Sequence, residues 1–596
     1  MSRLEPRQGR GRERRRTAIR TVALSLTCAV GASGTPVRAA GQTPAGPDAE
    51  RLEREIPRLM EAAGVPGLSI AIISDGRLAW SGAFGVADAA TGAPVTRRTV
   101  FQAASLTKQV FALTALRLAD RGVIDLDTPL SEYLPYPRLE HEPRYRRITA
   151  RHALSHSTGL PNWGGERLDL SFDPGEGFDY SGEGYVYLQK TLERRTGRDI
   201  ATLVDREVLQ PLGLKDSWMA WRPDFEGRAA ARHDEWGSAA GVARGDAQNA
   251  AWSLLTTADD YARFVIHLLD GGGLESGTWA AATTPYSQVA SRPHLDTDGR
   301  LHWGLGWGVQ TGRAGRALWQ WGHNDGFRAF LLAYPDRRDG FVFFTDGDGG
   351  LSIAHAIQDL VAEAAGWEPD DHWALDWLDY ERYDAPDRLA RRSIVDAFRT
   401  DGLDAGLARY ESHRAARSAG HAELLGVRAG QALQGMDRAE AAIALLLRNA
   451  ANYPESALAG RAVADALLEA RRYEEAHAAF SVALEKAPSD ALAARGIAWI
   501  EPILAVRSNP PEMSPERLAR YVGDYGPRHV TLTEGRLLYR REAGAPTPLT
   551  PIAADLFILE STGTFRIRFA EDAAGRITKI VGLYSDGRED ETPRDP

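Results

Sequence analysis

From residue 48 the run DAERLEREIPRLMEAAGV sets apolar residues at helical spacing, which predicts an amphipathic helix over 48–65. LSIAII and RLAWSGAFGVAD, joined by SDGR, predict a β-hairpin with Asp75-Gly76 in its turn. In FQAASLTKQVFALTALRLADRG (101–122), Val110, Leu113, Leu116 and Leu118 recur at helical intervals, so this segment is expected to be a largely buried helix. Helices and loops continue to about residue 290. A second group of strands follows, LHWGLGWGVQ, ALWQWGHND, FRAFLLAYP and GFVFFTD, and the helix LSIAHAIQDLVAEAAG closes the unit near residue 367. Strands at both ends with helices between them predict an α+β domain over 45–370, its antiparallel sheet completed by the two ends of the segment.

Residues 385–505 are rich in Ala, Leu, Glu and Arg and carry no strand signal. Pro454 and Pro488 mark a 34-residue period, in which Ala442 matches Ala476, Leu446 matches Phe480 and Gly430 matches Ala464. The period resembles tetratricopeptide repeats, with units at 423–456 and 457–490; the alternative is an ordinary helical bundle. The linker RSNPPEMSPE leads to short alternating segments over 513–592, read as a small antiparallel β-barrel or sandwich.

A chain of 596 residues is too long for one core. The net charge is -10, and the first 40 residues contribute nine Arg against two Glu. The remainder is therefore strongly acidic, which argues against nucleic acid as a partner. Those 40 residues read as a signal peptide: a basic run, the uncharged stretch TVALSLTCAVGA, and small residues for cleavage after Ala39 or Ala40. The apolar run is too short to span a bilayer, so a periplasmic or secreted location is expected. The single cysteine, Cys28, falls inside this leader, which leaves the mature chain without disulfides, thiolate metal sites or a cysteine nucleophile.

Lysine is scarce: Lys108 is one of five among 71 basic residues. Arginine keeps its proton in proteins, whereas a desolvated lysine can serve as a base. Ser105 precedes Lys108 by three residues, and positions i and i+3 of a helix share a face. A serine hydroxyl needs a base to become a useful nucleophile, and a lysine with a lowered pKa can be that base. This is the only S-x-x-K in the chain. There is no H-E-x-x-H, no cysteine cluster and no G-x-S-x-G, so neither a metal, a cofactor nor an α/β-hydrolase elbow is expected.

FDYSGEGYVYLQKTLERRTG contains Tyr180-Ser181-Gly182, and WQWGHNDGFRAFLLAYP contains His323-Asn324-Asp325. With Ser105-Leu-Thr-Lys108 ahead of them, the order resembles the S-x-x-K, Y-x-N and K/H-x-G motifs of the serine β-lactamase and penicillin-binding-protein superfamily. HALSHSTGLPNW, WSLLTTADDYARFV and WGLGWGV read like segments of its class C β-lactamase, D-aminopeptidase and esterase branch, and the resemblance covers roughly residues 50–367. It implies that Ser105 is acylated and Lys108 takes its proton. Tyr180 would relay a proton, and His323 would hold or polarise the substrate. The oxyanion would lie between the N–H groups of Ser105 and a residue near Gly326. Gly182 stands where the family has Asn, and Asp325 where it has a small Gly, which favours an ester or a D-aminopeptidase-like amide over a β-lactam.

RLARYVGDY and the strands after it resemble a lipocalin-like domain appended to some of these hydrolases, implied there to lie near the catalytic site. The reading is an exported serine hydrolase acting through an acyl-enzyme on a small-molecule or peptide substrate. The rival is a catalytically weak sensor that uses the same pocket to bind a penicillin or a cell-wall fragment. The helical repeats are expected to hold a protein partner or to mediate self-association.

Overall fold

The computed structural model describes residues 46–595 apart from 293, 298, 508–510 and 543. The leader, with Cys28 and the cleavage site, lies outside the described residues.

Helix α1 (Ala49–Ala63) is capped by Asp48, whose side chain accepts the Arg51 N–H, and it ends at Gly64 with φ 71°. Strands β1 (Gly67–Ser74) and β2 (Arg77–Asp88) form the expected hairpin. Asp75 and Gly76 both take positive φ, as a tight two-residue turn between twisted strands requires. Helix α2 (Thr107–Asp120) follows, with eleven of its fourteen residues buried. It is therefore a core helix covered on every side rather than an amphipathic one. Helices α3 (Gly182–Thr196) and α4 (Ala258–Leu269) pack nearby. Strands β3 (Gly315–Asn324), β4 (Phe327–Tyr334) and β5 (Asp339–Thr345) then form an antiparallel meander, and helix α5 (Ala354–Ala365) ends the unit.

β1 pairs with β5, Ile70 opposite Phe343, so the two ends of this domain meet in the middle of one nine-stranded antiparallel sheet. Side chains alternate across the sheet. Ala71, Ile73, Val342 and Phe344 face the layer that holds α2 and α4. Leu68, Ile70, Ile72 and Phe343 face α1 and α5. The site lies between the sheet and the first of these layers.

A short helix, α6 (Trp373–Leu378), carries the chain back over the sheet edge. Trp377 donates its Nε1–H to Ala290 O at 3.0 Å, and its ring lies 6.0 Å from that of Trp321. Seven helices follow: α7 (Pro386–Thr400), α8 (Leu403–Ala415), α9 (Ala419–Gly435), α10 (Ala439–Asn452), α11 (Ala457–Glu469), α12 (Tyr473–Lys486) and α13 (Ala491–Arg507). Successive helices pack as pairs, and Ala442, Leu446, Ala464, Ala476 and Phe480 are all buried. Gly430 lets α9 meet α10 closely, since a Cβ there would stand 2.5 Å from the Leu446 side chain.

The C-terminal part is an eight-stranded antiparallel meander from Gly523–Tyr525 to Glu589–Pro593. Asp595 N–H donates to Asp524 O at 2.8 Å, which joins the last turn of chain to the first strand and nearly closes a barrel. Its core is built on Tyr521, Tyr525, Phe557 and Phe569. The barrel rests on the helices: Trp499 Nε1–H donates to Gly563 O at 2.8 Å, and the Arg566 guanidinium stacks on the Trp499 ring at 3.8 Å. An aromatic face and a buried arginine thus bind the barrel to α13.

Candidate active site

Ser105 sits in a 3-10 turn, Ala104–Leu106, that runs directly into α2. Ala104 holds φ 47°, an uncommon conformation for a residue with a Cβ. The turn is pinned from two sides. Thr107 Oγ1 donates to Ala104 O at 2.6 Å and accepts the Leu254 N–H at 3.0 Å, while the Tyr261 hydroxyl donates to Leu106 O at 2.9 Å.

Lys108 points back along α2, 1% exposed, with Nζ 3.3 Å from Ser105 Oγ and donating to Ala251 O at 3.0 Å. Burial lowers its pKa to about 7. Its neighbours are aromatic, with the Tyr180 ring centroid 4.7 Å from Nζ. A substantial share of the amine is therefore neutral at physiological pH, beside the hydroxyl it would deprotonate.

Tyr180 lies between His156, 4.3 Å away by ring centroid, and Trp321, 4.5 Å away. Burial raises its pKa well above the ordinary phenol value, despite hydrogen bonding to Ser105 and Gln320. His156 accepts the Ser181 N–H on Nδ1 at 3.0 Å, and its own burial keeps it neutral. Ser181 caps α3 by accepting the Gly184 N–H at 2.9 Å and donates to Pro161 O. Ser105, Lys108 and Tyr180 thus meet at one point.

The third motif is shifted from its expected place. Gln320, not His323, faces the serine: its Nε2 donates to the Tyr180 hydroxyl at 2.9 Å and to Ser105 O at 3.1 Å. Side chains alternate along β3, so His323, three positions on, turns to the other side. There it is hydrogen-bonded to the Tyr380 hydroxyl at 2.5 Å, and burial lowers its pKa to about 4. The close-approach glycine is Gly322, where a Cβ would stand 2.7 Å from Ala103 O. The motif is therefore Gln320-Trp321-Gly322.

Three further expectations change. Gly326 belongs to the β3–β4 turn, and its N–H is committed to Asp348 Oδ1 at 3.0 Å, so it is no oxyanion donor. Asp325 lies in the same turn and pairs with Arg232 at 3.4 Å, beyond the position of the motif glycine. Gly182 offers substrate neither a side chain nor a free N–H. Its N–H goes to Asn162, and a Cβ would stand 2.6 Å from the Trp163 ring, which occupies the space of the absent Asn side chain.

The cleft over Ser105 has a volume of about 620 Å³. Trp163, Trp252, Trp321 and Tyr380 give it aromatic walls. Sequence reasoning missed Gln320, Trp163, Trp252 and Tyr380. For Gln320 a signal existed: it is the one polar residue inside the apolar run ALWQW. Among the described residues no cluster of three or more His, Cys, Asp or Glu could hold a metal ion.

Three comparisons bear on this geometry. A family model described as Beta-lactamase matches residues 52–366, more than half of the chain. Esterase EstB of Burkholderia gladioli is 33% identical over 202 residues, which cover 28% of this chain and 50% of the esterase. Penicillin-binding protein 4* of Bacillus subtilis (strain 168) is 21% identical over 322 residues, 47% of this chain and 68% of that protein. The chain thus spans half the length of the esterase. A crystal structure of D-alanine carboxypeptidase AmpC from Burkholderia cenocepacia aligns over 50% of this chain and 93% of that one, at 20% identity and a TM-score of 0.44.

Proposed function

The chain belongs to the beta-lactamase family, and on that premise we propose that it is a serine hydrolase acting on esters or neutral amides through an acyl-enzyme. The observation that carries this reading is the Lys108 amine, with a pKa of about 7, standing 3.3 Å from Ser105 Oγ.

In this reading Ser105 Oγ attacks the substrate carbonyl as its proton passes to the neutral Lys108 Nζ. The oxyanion binds to two main-chain N–H groups, those of Ser105 and His323. The second follows from the strand ladder. Pairing with Gly308–Gly312 stops at Trp319, so residues 320–324 pair only with β4. With Asn324 and Phe327 closing the two-residue turn, alternation directs the N–H groups of Trp321 and His323 away from β4, toward the serine turn. Collapse of the tetrahedral intermediate breaks the bond to the leaving group, which takes a proton relayed through the Tyr180 hydroxyl. Water then attacks the acyl-serine by the same route, releasing the acid and restoring the Ser105 hydroxyl. The raised pKa of Tyr180 suits a proton donor and relay rather than a standing phenolate base.

Gln320 supports the substrate class. A neutral amide stands where the family pattern places a Lys or His, so this position supplies no cation to receive a carboxylate beside the scissile bond. The esterase among the relatives accords with this.

The test is the intact mass of the protein after exposure to a fluorophosphonate and, separately, to a penicillin. One fluorophosphonate adduct, absent in Ser105→Ala, with no penicillin adduct, is the expected result. A penicillin adduct that forms and clears would reassign the protein to β-lactam or cell-wall chemistry, and one that never clears would favour the sensor. No adduct with either reagent would refute an activated serine.

A further inference from the structure

A second cavity, of about 530 Å³, adjoins the Ser105 cleft. The Tyr380 ring walls both. Two segments also run from one to the other: Arg232 lines the cleft and Asp234 the cavity, and Asn324 lines the cleft and Arg328 the cavity. The far wall is one face of α9, made by Arg428, Gln431, Ala432 and Gly435, which stand at i, i+3, i+4 and i+7. This helix lies beyond the residues matched by the family model.

The charges of the cavity are mostly spent on each other. Arg328 pairs with Asp348 at 2.7 Å, and Arg391 bridges Glu235 at 3.1 Å and Glu381 at 2.9 Å. Asp234 accepts the N–H groups of Trp236 and Ser238, both at 2.8 Å. Arg428 and Gln431 make no hydrogen bond or ion pair among the described residues, and both are exposed to the cavity. They are one helical turn apart, so a guanidinium fork and an amide donor reach the same point. A planar fork of N–H donors fits a carboxylate by two parallel bonds.

We propose that the cleft and this cavity form one extended substrate groove, and that Arg428, assisted by Gln431, receives a carboxylate at the far end of the substrate, away from the bond cleaved at Ser105. The proposal rests on the hydrolase reading and narrows it. The substrate is a long ester or amide with a remote acidic end. Its reactive carbonyl lies among aromatic rings where Gln320 supplies no charge, and its acid lies where the helical segment supplies one. The appended helices thereby become part of the specificity site. The pair is exposed, so its contribution is modest and falls with salt.

The test uses the full chain and two series of nitrophenyl-type esters of increasing chain length, with the carboxylate at the end of the acyl chain or of the alcohol. Each acid is compared with its methyl ester, and 4-nitrophenyl acetate serves as a substrate too short to reach α9. At one length KM for the acid should be lower than for its methyl ester by about fivefold. Arg428→Ala should remove that difference, Arg428→Lys should keep part of it, and the acetate ester should be hydrolysed at the wild-type rate by both variants. Acid and methyl ester handled alike at every length, or acetate hydrolysis lost in Arg428→Ala, would overturn the groove. Failure of the wild type to cleave the acetate ester would overturn the hydrolase reading instead. The groove is then decided by calorimetric titration of the free dicarboxylic acids: binding by the wild type that Arg428→Ala abolishes sustains it, and equal binding or none overturns it.

Discussion

Lys108 carries the functional argument at the scale of a single residue, and it does so at a cost to stability. In the unfolded chain it holds its proton up to the ordinary lysine value of 10.5, whereas in the folded protein burial brings the pKa to about 7. Between these values the unfolded state binds more protons, so stability rises with pH across that window and the penalty is largest below it. At neutral pH the penalty is on the order of 4 kcal/mol. Lys108→Met keeps the apolar stem and removes the charge. Calorimetry should find this variant inactive yet more stable than the wild type at neutral pH, less the part lost with the hydrogen bond to Ala251 O, with the advantage shrinking as the pH approaches 10.5. An equal or lower transition temperature at neutral pH would refute a buried neutral amine. Ser105 and Lys108 could be read from the sequence because their relation is local: three residues on one helix face, and a lysine in an arginine-rich chain. Gln320 could not be read that way, because its role depends on which strand face meets the serine turn, and a glutamine carries no chemical signature of its own.

The element that positions the site is β3. A strand alternates its side chains, so the third motif is set by register: Gln320 lies on the face of β3 that reaches Tyr180 and the serine turn, whereas His323, on the opposite face, lines the cleft beside Tyr380. Gly322 makes the close approach between β3 and the turn before α2. In Gly322→Ala the added Cβ meets the Ala103 carbonyl oxygen, a backbone atom that cannot swing aside. Fluorophosphonate labelling of Ser105 should slow by about a hundredfold while the protein stays folded, as expected for a misplacement of about 1 Å at a catalytic group. A wild-type labelling rate would show that β3 does not set the serine turn. At the start of α3, Gly182 is matched to Trp163. Gly182→Asn alone should not gain penicillin reactivity, because the new side chain runs into the indole. Combined with Trp163→Ala it should acylate with penicillin faster than the wild type, by intact mass. Equal rates would mean that the missing Asn is not what limits β-lactam binding. Hairpin, central helix and barrel strands were legible from apolar spacing and turn residues, although α2 and β1 are buried on nearly every side rather than on one repeating set of positions. The segment from Trp373 to Tyr380 was not, because its contacts lie with Ala290, Trp321 and His323, remote in sequence.

At the scale of the molecule, the catalytic domain and the barrel each meet the helices, by separate surfaces. Tyr380 and α9 extend the catalytic cleft, whereas the barrel docks on α11 and α13 through Gly563, Trp499 and Arg566. A Cβ at Gly563 would lie 1.8 Å from Leu468 O, so Gly563→Ala must part the barrel from α11. Hydrogen exchange should quicken across residues 523–593, with Ser105 labelling unchanged. A matching loss of labelling would mean that the barrel supports catalysis after all. The succession of an α+β domain, a helical segment and a small barrel was readable from the sequence, but their docking was not, because it depends on single close contacts between distant residues.

The central claim is that a neutral Lys108 activates Ser105, and the most direct measurement is the pH dependence of Ser105 phosphonylation, followed by intact mass between about pH 5 and about pH 9. The predicted rate falls about tenfold per pH unit below a midpoint near 7 and is level above it, tracking the free amine. A rate that is flat across this range, or that still climbs toward an ordinary lysine pKa, would contradict the account.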